Sequence, residues 1–249
     1  MDWELPAIVL DTRPYGDVDL IATVMTEDHG AHKGLVRGGA SRAQSGTWQA
    51  GNFVQARWTG RAPDALGGFR GELIHATAAS VMEDALSLSM LTAVCALAED
   101  ALPEREPHIL VFEGMIHLLP RLTLGASELP GLIRWETVLL AGLGFALDLT
   151  SCAVTGETSG LAFVSPRTGR AVTAAAAGDW AGKLLPLPPF LTGGPDGGPA
   201  DWRDGLHLTG HFLTRDVFGA RHRPLPQARQ MLYERAAALA PEKANHDGG

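Results

Sequence analysis

The hydrophobic period of this chain changes once, near Ala78, and that change limits the possible folds more than any other feature. Before it, apolar residues come in short runs or alternate, the spacing of strands. After it, they recur every three or four residues, the spacing of helices. A strand domain followed by a helical one is therefore expected, and 249 residues suffice for two modest cores. We read 1–79 as the strand domain, 80–240 as the helical domain with an insert at about 148–175, and 241–249 as a frayed tail.

Within the first domain, strands are expected at 7–12, 17–26, 32–37, 52–59 and 69–74. Glu27-Asp28-His29-Gly30 reads as a hairpin turn, with Gly30 free to take positive φ. In 52–59, Val54, Ala56 and Trp58 alternate with Phe53, Gln55 and Arg57, so Trp58 is expected in the core. Five short strands at this spacing suggest a small closed or half-closed barrel. In the second domain, helices are expected at 81–102, 109–119 and 132–143. Another is expected to run to Phe218 from an Asp201 N-cap, closed by Gly219, and a last one from Pro226 to about Leu239.

Charge is distributed unevenly. The net formal charge is −8, yet residues 29–70 hold six basic residues (Lys33, Arg37, Arg42, Arg57, Arg61 and Arg70) and one acid, Asp64. Residues 71–120 hold eight acids and only Arg105. Lys33 and Arg37 share one face of their strand by even spacing, with Arg42 just beyond. A basic face on a barrel is what sequence-independent binding of a phosphate backbone requires, with rings that stack on bases. Trp48, on the 41–51 loop, is the ring expected to stack. Residues 203–235 hold six arginines against three acids; Arg215, Arg221, Arg223 and Arg229 make a candidate second basic patch.

No catalytic set stands out. There is no Gly-x-Ser-x-Gly elbow, and neither Gly38-Gly39 nor the GGPDGGP run at 193–199 leads into Lys-Ser/Thr. The insert has the layout of a zinc ribbon, two knuckles around a hairpin, with Cys152, Thr155, Ala171 and Ala174 in the ligand places. One thiolate cannot hold a structural zinc, so no metal is expected. His207 and His211 sit four apart on a helix without a third ligand. Arg134, beside Trp135 on an apolar-striped helix, reads either as a surface arginine on a core-packed helix or as a point where a groove docks a partner's carboxylate. The start MDWELPAIVLDTRP has no signal-peptide features, and no uncharged apolar run reaches the ~18 residues of a membrane helix. With two cysteines, these features point to the cytoplasm.

Taken in order, several segments resemble the RecO family of bacterial DNA-repair recombination mediators. They are Ile8-Val9-Leu10-Asp11-Thr12-Arg13, Met25-Thr26-Glu27-Asp28-His29-Gly30, Gly34-Leu35-Val36-Arg37-Gly38-Gly39, and Arg134-Trp135-Glu136 with Leu139-Leu140 and Leu143-Gly144-Phe145. The Cys152 insert and Pro224-Leu225-Pro226-Gln227-Ala228-Arg229 complete the series. The resemblance implies an α+β chain: an N-terminal OB-fold barrel, then a helical domain bearing a zinc ribbon, here degenerate. It also implies a non-enzymatic protein that binds single- and double-stranded DNA, anneals complementary strands and works near the nucleoid. Implied partners are the acidic tail of single-strand-binding protein and RecR (with RecF in one branch), and through them RecA. Lys33, Arg37 and Arg42 fall where the family carries DNA-contacting charge, and Arg134 falls on the helix that resembles its tail-docking surface. Two other functions fit the residues less well: a metal-dependent hydrolase around Cys152 and the histidines, and an interaction scaffold that binds no DNA.

Overall fold

The computed structural model describes residues 2–62 and 65–240; the expected tail at 241–249 and Asp64 lie outside them. Five strands, β1 (Asp2–Tyr15), β2 (Asp19–Thr26), β3 (Gly30–Val36), β4 (Phe53–Thr59) and β5 (Gly68–His75), close into a barrel in the order β1-β2-β3-β5-β4. All neighbours are antiparallel except β3 and β5. The inward alternation is Ala7 and Val9, Ala22 and Val24, Val36, then Val54, Ala56 and Trp58, with Phe69 closing the core. Trp58 is thus a core residue, as its alternation predicts.

Trp48 joins it there. Expected on a loop and free to stack on a base, it is 2% exposed and packs inside the barrel near Phe69. The segment carrying it folds back over the barrel through turns, and Asn52 pins it by donating to the carbonyls of Gly46 and Thr47. A large ring beside a barrel with small inward residues such as Ala7, Ala22 and Ala56 is removed from water rather than displayed.

The barrel is also buried from outside. Ile8 and Leu10 of β1, Met25, Ala31 and Phe53 face outward into the larger core of the helical domain. That is why the 7–10 stretch reads as a continuous apolar run: both its faces are covered. The join is tight at Gly30, whose φ of +59° suits glycine and where a Cβ would come within 2.0 Å of the Glu106 carbonyl oxygen. Alongside, the Arg105 N–H donates to Ala31 O at 2.8 Å.

The helical domain centres on α2 (Ala85–Ala101), preceded by the single turn α1 (Thr77–Val81). The predicted 81–102 helix is broken because Asp84 turns extended and caps α2, accepting from the Ser87 N–H at 2.6 Å. Next come α3 (Ile109–Leu118) and α4 (Leu129–Gly142), with Pro130 in the first turn of α4 rather than before it. The apolar stretch 109–142 has the length and composition of a membrane span, but Gly125 (φ 65°, ψ −140°) breaks it, and it folds back on itself.

The insert, expected to hold a hairpin, is a small sheet in the order β7-β6-β8. Its strands are β6 (Leu161–Val164), β7 (Ala171–Thr173) and β8 (Leu185–Pro186), followed along β7 by the single turn α5 (Ala174–Ala177). The last two helices are α6 (Pro199–Phe212) and α7 (Gln227–Ala237). Asp201 is not the N-cap of α6. Gly198 is, and Asp201 accepts from its N–H at 3.0 Å from the third helical position. Gly219 does not close this helix either: a π-helical turn runs through Leu213–Phe218, and the chain reverses at His222, in the left-handed region. Helices α4, α6 and α7 meet around Glu136 and Arg229, both buried.

Candidate nucleic-acid interface and partner sites

The barrel register brings three scattered arginines together. Val36 pairs with Phe69, and Phe69 with Trp58, all three pointing inward. One residue further on, the outward neighbours are Arg37 just past β3, Arg70 on β5 and Arg57 on β4, with Arg57 and Arg70 directly opposed. All three are exposed. At the ~4.8 Å spacing of neighbouring strands, the row spans about 10 Å. Like charges directly opposite destabilise a sheet unless an anion screens them. Arg57 pairs with Asp2 at 3.6 Å and has Glu4 opposite it on β1, and Glu72 follows Arg70 on the same face of β5. Among the described residues Arg37 and Arg70 have no ion pair, nor do exposed Arg42 on the 37–52 connection and Arg61 on the β4–β5 connection.

Lys33 points outward too, as its spacing with Arg37 predicts, but toward the helical domain. Glu104, on the linker before α3, takes its ammonium. Arg13 is occupied likewise, by Asp11 at 2.8 Å and Glu99 at 3.2 Å. Even spacing assigns a face; it cannot say what packs on it.

The expected second patch is not a patch. Arg229 is 1% exposed, ion-paired to fully buried Glu136, and donates to Leu206 O at 2.8 Å. Arg221 donates to Ala101 O at 2.9 Å, and Arg223 pairs with Asp100. Both close the carboxyl end of α2, where carbonyls and the helix dipole favour cations. Arg215 forms a bidentate pair with Asp216, lies over the Phe212 ring and donates to the carbonyl of Pro166 in the insert. The four sit on different elements and meet different acceptors, because each arginine answers a local carbonyl or carboxylate.

Arg134 does reach the surface, 43% exposed, while Trp135 turns into the core and donates to Val111 O at 3.2 Å. Its guanidinium lies 5.3 Å from the centre of the Phe190 ring, donates to Phe190 O at 3.3 Å and pairs with Asp196. Asp196 belongs to the GGPDGGP run, which as sequence reads only as a flexible connector.

The insert does not offer four metal ligands. The residues gathered at Cys152 are Thr155 and Thr173, not Ala171 and Ala174: the Cys152 Sγ lies 3.7 Å from Thr173 Oγ1 and accepts from the Thr173 N–H at 3.4 Å. Thr173 Oγ1 also accepts from the Ala176 N–H. Thr155 and the Thr173 N–H draw the thiol down to about 6. A second knuckle built on Thr173 and Ala176 supplies one weak oxygen and a methyl, which does not fit a structural zinc. Of the helix pair, His211 Nε2 meets Pro166 O at 3.1 Å while His207 lies near Tyr233, both lining a cleft of about 550 Å³ between α6 and α7. Among the described residues no group of three or more His, Cys, Asp or Glu is placed to hold a metal ion.

Among the described residues a titratable group, His32, lies inside the barrel. His32 is 5% exposed, edge-on to Trp58 at 4.8 Å and to Trp3 at 5.5 Å, with no partner for either ring nitrogen. Burial, helped by Arg105 and His29, pushes it from 6.5 down to about 4. The folded state therefore holds His32 neutral where the unfolded chain protonates it. Stability falls as pH drops from about 6.5 to about 4, by at most roughly 3 kcal/mol from this group. We expect His32→Phe to flatten that part of the urea-midpoint profile. An unchanged slope between those pH values would assign the acid lability elsewhere.

The structure thus brings a row of exposed arginines together on a five-stranded barrel joined to a helical domain. Comparison with known proteins is specific. The chain matches the family models "Recombination protein O N terminal" over residues 1–77 and "Recombination protein O C terminal" over residues 82–225. It is 54% identical over 249 residues to the DNA repair protein RecO of Granulibacter bethesdensis, covering 99% of this chain and 100% of that one. It is 50% identical to the DNA repair protein RecO of Gluconacetobacter diazotrophicus, over 99% of this chain and all of the relative. With that of Rhodospirillum centenum it shares 45% over 94% of each. The chain belongs to the RecO family, and its place is in DNA repair and recombination.

Proposed function

We propose that the barrel is an OB-fold that grips the phosphates of single- and double-stranded DNA without sequence choice, and that the protein anneals complementary strands. The observation carrying this is the row Arg37, Arg70 and Arg57, three outward cations on adjacent strands of which only Arg57 has an ion pair among the described residues, with Arg42 and Arg61 on nearby connections. Their self-repulsion is relieved by a polyanion, and counterion release supplies the affinity. Annealing needs two strands held close while their repulsion is screened, and a cationic row does this without bond chemistry. We read the protein as non-enzymatic and cofactor-free, acting in the cytoplasm on nucleoid DNA. Arg134 is its docking point for the acidic tail of single-strand-binding protein, and RecR the partner through which RecA is loaded.

The testing experiment is strand annealing with single strands pre-coated by single-strand-binding protein, its tails present or deleted. Annealing of coated strands that drops when the tails are removed is expected. DNA affinity that is absent, or indifferent to salt, would leave the scaffold reading in its place.

A further inference from the structure

The docking point at Arg134 already has an occupant. Arg134 on α4 is held by the ring and carbonyl of Phe190, so its guanidinium has a fixed position and one free side. Asp196 fills that side. It comes from a strap, residues 193–198, in which Gly193 (φ 84°) and Gly197 (φ 66°) take left-handed conformations on either side of Pro195 and Asp196. The strap is held from outside as well: the Trp202 indole donates to the Asp196 carbonyl at 2.9 Å, and the Gly194 N–H to Pro189 O at 2.9 Å. Buried Glu128 is already taken by Arg121 at 3.0 Å. Asp196 is thus the carboxylate that meets Arg134, and at 62% exposed it can be exchanged.

We propose that the 193–198 strap is a built-in competitor, with Asp196 mimicking the carboxylate of an incoming acidic peptide and lowering its affinity for Arg134. The inference rests on the reading of Arg134 as a docking point. An exposed ion pair is weak, so the strap sets a threshold rather than a block. A short acidic segment at low concentration is resisted, while many tails presented together on coated DNA displace Asp196 readily. Displacement costs no core contact, because Asp196 contributes only its side chain to Arg134 and the strap keeps its Trp202 anchor.

The test uses the full chain and a labelled peptide carrying the acidic carboxyl-terminal tail of single-strand-binding protein, followed by fluorescence anisotropy. Asp196→Asn, which keeps the size and removes the charge, is expected to tighten binding roughly two- to five-fold. The gain must vanish when Asp196→Asn is made in an Arg134→Ala background, because the competition acts through that guanidinium. Unchanged or weaker binding by Asp196→Asn overturns the competitor while leaving the docking point standing. Equal gains in both backgrounds also overturn it, since they would reflect general loss of negative charge. Binding that is indifferent to Arg134→Ala, or absent in every variant, removes the docking point and the competitor with it.

Discussion

Glu136→Ala is expected to destabilise the protein by about 3–5 kcal/mol, a large share of the ~5–15 kcal/mol that holds a domain together. Glu136 is wholly buried and accepts from the Arg229 guanidinium, 3.0 Å at Oε2, and from the Thr209 hydroxyl. It joins α4 to α6 and α7 in one network. Removing it leaves Arg229 charged, buried and short of its acceptor. The cost is the stranded charge rather than the worth of the pair, so the double replacement Glu136→Leu with Arg229→Met should recover most of the loss. Urea midpoints of the two single variants and the double one check this. A loss below ~1 kcal/mol for Glu136→Ala would mean that water reaches the pair.

Reversing Arg37, Arg57 and Arg70 together to glutamate is expected to weaken single-strand binding by at least about a thousand-fold at low salt, from about 1.5 kcal/mol per charge-assisted contact. The log–log salt slope should become shallower by about 2, from ~0.7 per phosphate lost. The three residues are exposed, but Arg57→Glu gives up the pair with Asp2 and faces Glu4, so a urea midpoint checks that the variant folds. Lys33→Gln serves as the comparison: its ammonium is already given to Glu104, and little effect on DNA affinity is expected. A Lys33→Gln loss of about a sixth of the triple variant's in log units, as their charge changes of about −1 and −6 require, would show that binding follows net charge rather than the row. Retained affinity in the triple variant would remove the barrel as the DNA site.

Much of the fold is legible before any coordinates. Alternation in 52–59 places Val54, Ala56 and Trp58 inside, and the turn before Gly30 is marked by its glycine. The sites are less legible, for physical reasons. Trp48 sits in a polar, turn-rich segment, and nothing local says that the segment folds back over a barrel lined with small residues. Arg229 lies in an arginine-rich stretch that resembles a solvated surface, but its partner Glu136 is 93 residues away. In the GGPDGGP run, Asp196 gains meaning only when the chain returns to Arg134, 62 residues earlier.

Local pattern therefore sufficed for the change of period near Ala78, the inward face of 52–59 and the family motifs in their order. These depend on neighbours two to four residues away, where backbone geometry alone fixes direction. Which arginines stay free was settled by packing. Arg37, Arg57 and Arg70 line up because three strands close a barrel, while Lys33, Arg223 and Arg229 are neutralised by carboxylates that only the folded chain brings within reach. Charge is written residue by residue, but whether it is available depends on distances of a few ångströms between segments far apart in the chain.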